Sequence, residues 1–374
     1  MASTSNPVLV TGGSGYVAIE IISQLLVQGY TVHTTVRSLQ KTAKISCLQD
    51  LKAPHPEGKL LLFEADLLQP GSFHSAMQDC EVVFHVASPF KVPEKIKDGD
   101  SEMVKPALQG TKNVFKAVED TPSVQRVVFT STKMETTAST DCPTSGAIAG
   151  DYIDVINKMR VMSHDYFNET STVKHNPYHY SKVLAEKEAW KMFEEHQQSE
   201  QRRWDLVVVC PAFVLGPSLT PSSVSGSLFL MDELLSGLMF YGVPDLSFLP
   251  VDVRDVASAH IKAAQRKEAY GRYIVGPPKT TTFLEISKHF KKLRNNTPWL
   301  PSFQLPTPLV RIVGPLFGLS QKWISGNLGV KFAVDNTRSI SELGLDYRSL
   351  EETLNDHYTS WEKNKRQQGK PKTT

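Results

Sequence analysis

Val8-Leu9-Val10-Thr11-Gly12-Gly13-Ser14-Gly15-Tyr16-Val17-Ala18 is the stretch on which the fold is decided. Three apolar residues make a short strand, a glycine-rich turn leaves it, and helical spacing follows in Val17, Ile21, Ile22, Leu25 and Leu26 until Gly29 stops the helix. Strand, glycine turn and helix, in that order, form the turn that holds a dinucleotide pyrophosphate. Gly12 permits the tight exit, Gly15 lets backbone approach closely, and Ala18 is small where the helix must lie on the sheet. Gly12, Gly13, Ser14, Gly15, Tyr16 and Val17 are therefore the candidate cofactor-binding turn, its free N–H groups backed by the helix dipole. A glycine trio alone also fits a plain strand–helix turn. Its place on the first strand of an alternating chain argues for the dinucleotide.

Short apolar strands recur at Thr31–Val36, Leu60–Ala65, Val82–Val86 and Arg126–Thr130, with helical stretches such as Met103–Val118 between them. That alternation predicts a parallel sheet covered on both faces, and right-handed crossovers leave the doubly wound arrangement. After about residue 135 the rhythm loosens. A polar loop over 136–150 precedes a long helix at Tyr178–His196 and a buried strand at Leu206–Cys210. Prolines and glycines are then frequent, as expected of a smaller, irregular lobe over the carboxyl edge of the sheet. Val253–Arg266 reads as one more helix and Arg272–Val275 as a strand that returns to the main sheet. The expected fold class is α/β, a doubly wound parallel sheet with a smaller, irregular C-terminal substrate lobe. Residues 1–212 with 250–276 form the dinucleotide domain, 213–249 and 277–360 the lobe, and 361–374 a basic tail.

The chain of 374 residues, 40% hydrophobic and 21% charged, can bury a sizeable core. Its 41 basic and 39 acidic residues leave a net charge of only +2, so nothing in the overall balance calls for a nucleic-acid or membrane partner. Cys47, Cys80, Cys142 and Cys210 are scattered, with no metal-ligand or disulfide spacing. The start lacks a signal peptide, and the most apolar window, Leu305–Leu319, holds three prolines and Arg311. A cytoplasmic setting is the default, which makes the sequons at Asn168 and Asn295 chance matches.

Two constellations carry chemistry. The end of the second strand reads Val36-Arg37-Ser38, with no acid to hold ribose hydroxyls. Arg37 can clasp a 2′-phosphate, with Ser38 and Lys44 as helpers, which favours NADP over NAD. Asp66, after the third strand, is placed either to accept from the adenine amine or to cap the next helix. Further along, Tyr178 and Lys182 in Tyr178-His179-Tyr180-Ser181-Lys182 stand one helical turn apart on one face. A phenol with a pKa of about 10 is a poor acid–base group at pH 7. An ammonium about 4 Å away favours the phenolate by about 4 kcal/mol at a dielectric of 20, roughly three pKa units before screening. Tyr178 is therefore the candidate general acid, with Lys182 its partner and a ligand for the nicotinamide ribose. Tyr180 has no lysine four residues on. A hydroxyl at the end of the fifth strand, Ser131 or Thr132, can share the substrate oxygen with Tyr178.

These segments together resemble a known family. TGGSGYVA at 11–18, TTVRS at 34–38, EADL at 64–67, FHVASPF at 84–90, VVFTST at 127–132, YHYSK at 178–182, CPAFVLGP at 210–217 and PVDVRDVASAH at 250–260 are similar to the extended short-chain dehydrogenase/reductases with their Rossmann fold. The resemblance is to the branch of dihydroflavonol 4-reductases, cinnamoyl-CoA reductases and aldehyde, ketone and methylglyoxal reductases, and runs from about residue 8 to 360. It implies that Tyr178 is the acid and Lys182 its partner, that Arg37 selects NADPH, and that Asp66, with Leu67 beside it, touches adenine. Ala87 and Ser88 would line ribose and pyrophosphate, and Pro211, Phe213 and Val214 would lie against the nicotinamide. Where the family has a serine, this chain has Thr132 after Ser131. Lys133-Met134-Glu135 and the stretch 151–168, a variable loop over the substrate, also depart from the pattern. Phe90, Met134 and His179 are the candidate substrate contacts.

The expected activity is reduction of an aldehyde or ketone by NADPH, with a monomer or homodimer as the working unit. Phe90, Phe213, Leu228, Phe229, Met231, Leu234, Met239 and Phe240 in the lobe favour an apolar or aromatic substrate over the sugar nucleotide of an epimerase, although many of them also fit a plain core. A hydroxysteroid-type dehydrogenase is the alternative within the same chemistry. A cofactor-binding sensor without catalysis is the alternative outside it, and the retained Tyr178 and Lys182 argue against that.

Overall fold

A computed structural model of the chain describes residues 6–40, 42–51, 58–89, 96–131, 161–165, 171–173, 177–200, 202–221, 223, 225–317 and 321–368. Seven strands build the central sheet: β1 (Val8–Val10), β2 (Thr31–Val36), β3 (Lys59–Glu64), β4 (Val82–His85), β5 (Arg126–Thr130), β6 (Asp205–Pro211) and β7 (Gly271–Val275). Their order is β7-β6-β5-β4-β1-β2-β3, and every pairing is parallel. The chain leaves β1 toward β2 on one side and resumes at β4 on the other. The topological switch, with its crevice, therefore lies at the carboxyl ends of β1 and β4.

Burial on both faces explains the near-continuous apolar strands. Leu9, Val10, Val83, Val127, Val128, Val207, Val208 and Val209 are all fully buried. One face is covered by α1 (Tyr16–Val27) and by the helix Val253–Gln265, the other by the helices Lys105–Glu119 and Pro177–Gln198. On α1 the spacing of Ile21, Ile22, Leu25 and Leu26 places four side chains against the sheet. Each such burial contributes about 1.5–3 kcal/mol. Strand β7 returns to the sheet edge beside β6, as the sequence led us to expect.

A third core lies in the C-terminal part of the chain, around Phe213, Leu230, Met231, Leu234, Phe248, Phe283, Phe290 and Leu354. Two short pairs belong to this part: Phe213–Leu215 runs parallel to Pro250–Asp252, and Ser247–Phe248 antiparallel to Thr281–Thr282. Part of the stretch expected as a loop over the substrate is ordered differently. Val161–Met162 forms a two-residue strand parallel to Ala333–Val334, with Met162 buried in the sheet core. The loop expected at 136–150 lies outside the described residues.

Candidate active site

The glycine turn is built by close approach. Gly12 has φ +71°, and a Cβ there would stand 3.0 Å from Ala87 Cβ and 3.1 Å from Ala87 Cα. Any side chain would meet both the left-handed backbone and the β4 loop. Gly13 is more crowded still, because a Cβ would fall 2.2 Å from Thr34 Oγ1. The turn is tied to β2 by Gly13 N–H to Thr35 O at 2.9 Å and Gly12 N–H to Thr35 Oγ1 at 3.1 Å. Gly15 is an extended N-cap without a side-chain bond, and the first turn of α1 holds no acid. The first helical hydrogen bond is donated by Ile19 N to Gly15 O, so the amides of Tyr16, Val17 and Ala18 point off the helix end. A pyrophosphate fits this uncapped cradle.

Thr11 joins the cradle to β4. Its Oγ1 accepts from the amides of Val86 and Ala87, each at 3.0 Å, and lies 3.0 Å from His85 Nδ1. Ala87 and Ser88 thus follow directly on a strand end fixed to β1, both half-buried. Arg37 is exposed at the end of β2. Glu64, the register partner of the preceding Val36, has Oε2 engaged by the Leu39 amide at 3.0 Å. The Lys44 side chain lies outside the described residues. Asp66 Oδ1 accepts from Leu68 N at 2.8 Å, so one of its oxygens closes a local turn. Leu67 is buried against Gly110, and its carbonyl accepts from Asn113.

Tyr178 and Lys182 stand on the first turns of the helix Pro177–Gln198. Lys182 Nζ is 6.0 Å from the centroid of the half-buried Tyr178 ring. Lys182 is itself buried and its charge acts on His85 at the end of β4. Burial, and after it the Lys182 charge, push the His85 imidazole down to about 3. His179 is buried, its ring in edge contact with Tyr178 at 5.1 Å.

Alternation along the end of β5 sorts the hydroxyls. Thr130 Oγ1 lies 2.8 Å from His260 Nε2 on one face, and Ser131 Oγ donates to Glu186 Oε2 at 2.5 Å on the other. Glu186 follows Lys182 by one turn, is 2% exposed, and pairs with Arg272 Nε of β7 at 2.6 Å. Ser131 is therefore held in a buried ion-pair cluster. Thr132, Met134 and Phe90 lie outside the described residues.

The segment after β6 offers backbone. Pro211 ends the strand, Ala212 N donates to Val275 O at 2.9 Å, and Val214 O accepts from Ser227 Oγ at 2.6 Å. The Phe213 ring is 2% exposed and stacks on Phe248 at 4.6 Å, so any approach of this residue to a cofactor is through its main chain. Met231, Leu234 and Met239 lie in that same core, and Phe240 is 58% exposed on the outer surface. Phe213, Met231, Leu234 and Met239 are thus core side chains of the lobe, and at these positions its apolar composition reflects that core. Leu228 and Phe229 stay half-buried.

One hub was not visible in the sequence. The Gly216 carbonyl accepts from Tyr16 Oη at 3.0 Å and from His357 Nδ1 at 2.9 Å. Burial first, then Asp252 and Glu20, raise the Tyr16 phenol and keep it protonated as that donor. Asp252 caps the helix Val253–Gln265 and pairs with Arg254 at 2.8 Å. The glycine helix, the turn after β6 and the C-terminal helix Leu350–Gln368 are locked together there.

Residues 8–276 match the model of the NAD dependent epimerase/dehydratase family. The chain is 31% identical over 366 residues to a cinnamoyl-CoA reductase of Medicago truncatula, covering 97% of this chain and 98% of the relative. It is 35% identical over 305 residues to an anthocyanidin reductase of Vitis vinifera, covering 80% and 82%. Among solved structures it is similar to Gre2 of Candida albicans in complex with NADPH, with a TM-score of 0.71 at 25% identity over 96% of this chain and 99% of that one. With the switch-point crevice, these matches show that the chain belongs to the NAD dependent epimerase/dehydratase family, the extended short-chain dehydrogenase/reductases, and is an NAD(P)-dependent reductase.

Proposed function

We propose that the protein is an NADPH-dependent carbonyl reductase in which Tyr178 is the proton donor. The observation that carries this is the buried Lys182 Nζ, 6.0 Å from the Tyr178 ring centroid on the first turns of one helix, its charge acting on His85 at the end of β4, the strand end that Thr11 joins to the glycine cradle. The cofactor, when bound, supplies a hydride to the carbonyl carbon. Tyr178 gives its proton to the carbonyl oxygen as that carbon is reduced to the alcohol, and Lys182 stabilises the phenolate that remains. Thr132 is the third hydroxyl, because Thr130 and Ser131 are already committed to His260 and Glu186. Asp66, Leu67, Ala87, Ser88 and the main chain of Pro211–Val214 hold the rest of the cofactor, and His179 stands beside the acid. Relatives named for cinnamoyl-CoA and anthocyanidin favour an aromatic carbonyl substrate.

The test is oxidation of NADPH and of NADH by the purified protein across aromatic aldehydes, α-dicarbonyls, dihydroflavonols and ketosteroids. Turnover of an aromatic carbonyl with NADPH is expected. Tight NADPH binding with no consumption on any substrate would show a sensor instead. Arg37 supplies a second handle. Charge-assisted bonds to a phosphate are worth about 1.5–3 kcal/mol. Arg37→Asp is therefore expected to raise the KM for NADPH by about 10- to 100-fold and leave that for NADH nearly unchanged. An unaltered cofactor ratio would remove Arg37 from the site.

A further inference from the structure

The chain-wide charge balance hides an uneven distribution. Residues 279–331 carry eight basic side chains against the single acid Glu285, leaving 33 basic and 38 acidic residues elsewhere. Glu285 is committed within its own helix, where it closes a capping box with Thr282. Nearby, Asp232 is paired with Lys365 and Trp361, and Glu233, an acid that acts on Tyr241, has one carboxylate oxygen enclosed.

Two loops place aromatic residues beside this positive segment. Gly237 lies against Trp299, and Gly242 against Phe303 and Leu305. Val243 N donates to Phe303 O at 3.4 Å, and Leu305 N to Val243 O at 2.8 Å, which laces the loops together. From this pair project Leu238, Phe240, Tyr241, Trp299 and Phe303, each between 47% and 62% exposed. The following helix, Thr307–Val313, continues the surface with Ile312, 75% exposed, beside the exposed Arg311. Lys291 Nζ reaches Ser302 Oγ at 3.4 Å, and Lys288 and Lys292 are exposed on the same helix, Phe283–Leu293.

Grouped exposed aromatics of this size call for a partner, whereas scattered ones do not. Trp, Tyr and Phe at loop tips, with lysine and arginine beside them, are the composition that settles at the headgroup level of a bilayer. The rings enter the acyl boundary while the cations meet anionic headgroups. We propose that this end of the lobe is a peripheral membrane-docking surface selective for anionic lipid. Among the described residues no helix is long and apolar enough to cross a membrane, and surface binding requires none. The sequence-based expectation of no membrane partner rested on the overall charge, in which this segment is cancelled by the rest of the chain.

The test is co-sedimentation of the full chain with phosphatidylcholine vesicles, with and without about one quarter phosphatidylserine. Binding is expected with phosphatidylserine only, and is expected to weaken as salt rises. The double variant Trp299→Ala/Phe303→Ala is expected to bind at least about tenfold more weakly. Lys288→Glu and Lys292→Glu are each expected to cost about fivefold or more, with the far-ultraviolet spectrum and thermal midpoint of every variant unchanged. No binding to either vesicle would overturn the proposal, as would equal binding to both. So would a dimer in gel filtration that the double variant dissociates, because a second copy would then cover the face.

Discussion

Tyr178→Phe is expected to lower kcat for carbonyl reduction by about 100- to 10,000-fold, the range over which a positioned general acid acts. Binding of NADPH should be nearly unaffected, because the ring and its edge contact with His179 remain and only the hydroxyl is lost. A catalytic assignment therefore predicts a collapse in kcat with the cofactor Kd preserved. A structural role predicts the reverse, a thermal midpoint that falls with kcat little changed. Lys182 gives an independent check on the same step. A buried ammonium within reach of the phenol should depress its pKa, so Lys182→Met should move the basic limb of the pH–rate profile upward as well as slow the reaction. Stopped-flow measurement of the hydride step across pH reads both effects. Retention of turnover by Tyr178→Phe would mean that the proton comes from elsewhere, and the neighbouring Tyr180 and His179 would be the next variants to make.

The elements most legible in the sequence are those whose signal is local. Gly12 to Ala18 form one short continuous segment, Tyr178 and Lys182 stand one turn apart on a single helix, and the first four sheet strands, beginning at Val8, Thr31, Lys59 and Val82, follow in a regular rhythm. What escaped depends on pairs far apart. Glu186 stands at the next position of the face already marked by Tyr178 and Lys182, so its place was readable. Its partners Ser131 and Arg272 lie 55 and 86 residues away, and nothing in the spacing joins them. The same holds for Tyr16 and Gly216, 200 residues apart. The choice between Ser131 and Thr132 stayed open in the sequence because both are hydroxyls on a strand end. The buried ion pair beneath Ser131 is what now favours Thr132. The apolar lobe is ambiguous for a different reason. Composition reports that side chains are buried, and Phe213 shows that burial against Phe248 in a core has the same composition as burial against a substrate.

Acid is expected to unfold this protein steeply between pH 6.5 and 4, and three imidazoles are the cause. His85 is pushed down to about 3, and His260 and His357 each to about 4, burial being the first cause in all three. Two of them also donate a ring N–H to a backbone carbonyl. His260 Nδ1 donates to Val256 O, which can only accept, so Nε2 must receive the Thr130 hydroxyl. His357 donates Nδ1 to Gly216 O. A proton added at His260 Nε2 would break the bond to Thr130 as well as bury a charge. In the unfolded chain each imidazole titrates near its ordinary value of about 6.5, so the unfolded state takes up protons first as pH falls. The sign is fixed by that order: their contribution to stability is complete above about pH 6.5 and is lost progressively toward the folded values. Each histidine contributes about 1.4 kcal/mol per pH unit, so three give a limiting slope of about 4. Summed over the window, the loss is on the order of 10 kcal/mol, comparable with the whole stability of a typical domain. Urea midpoints measured from pH 7 to pH 4.5 read the slope directly, and His260→Gln should lower it by about one proton. Imidazole proton resonances of the folded protein decide the cause: any of the three that titrates near pH 6.5 before unfolding would remove that histidine from the account.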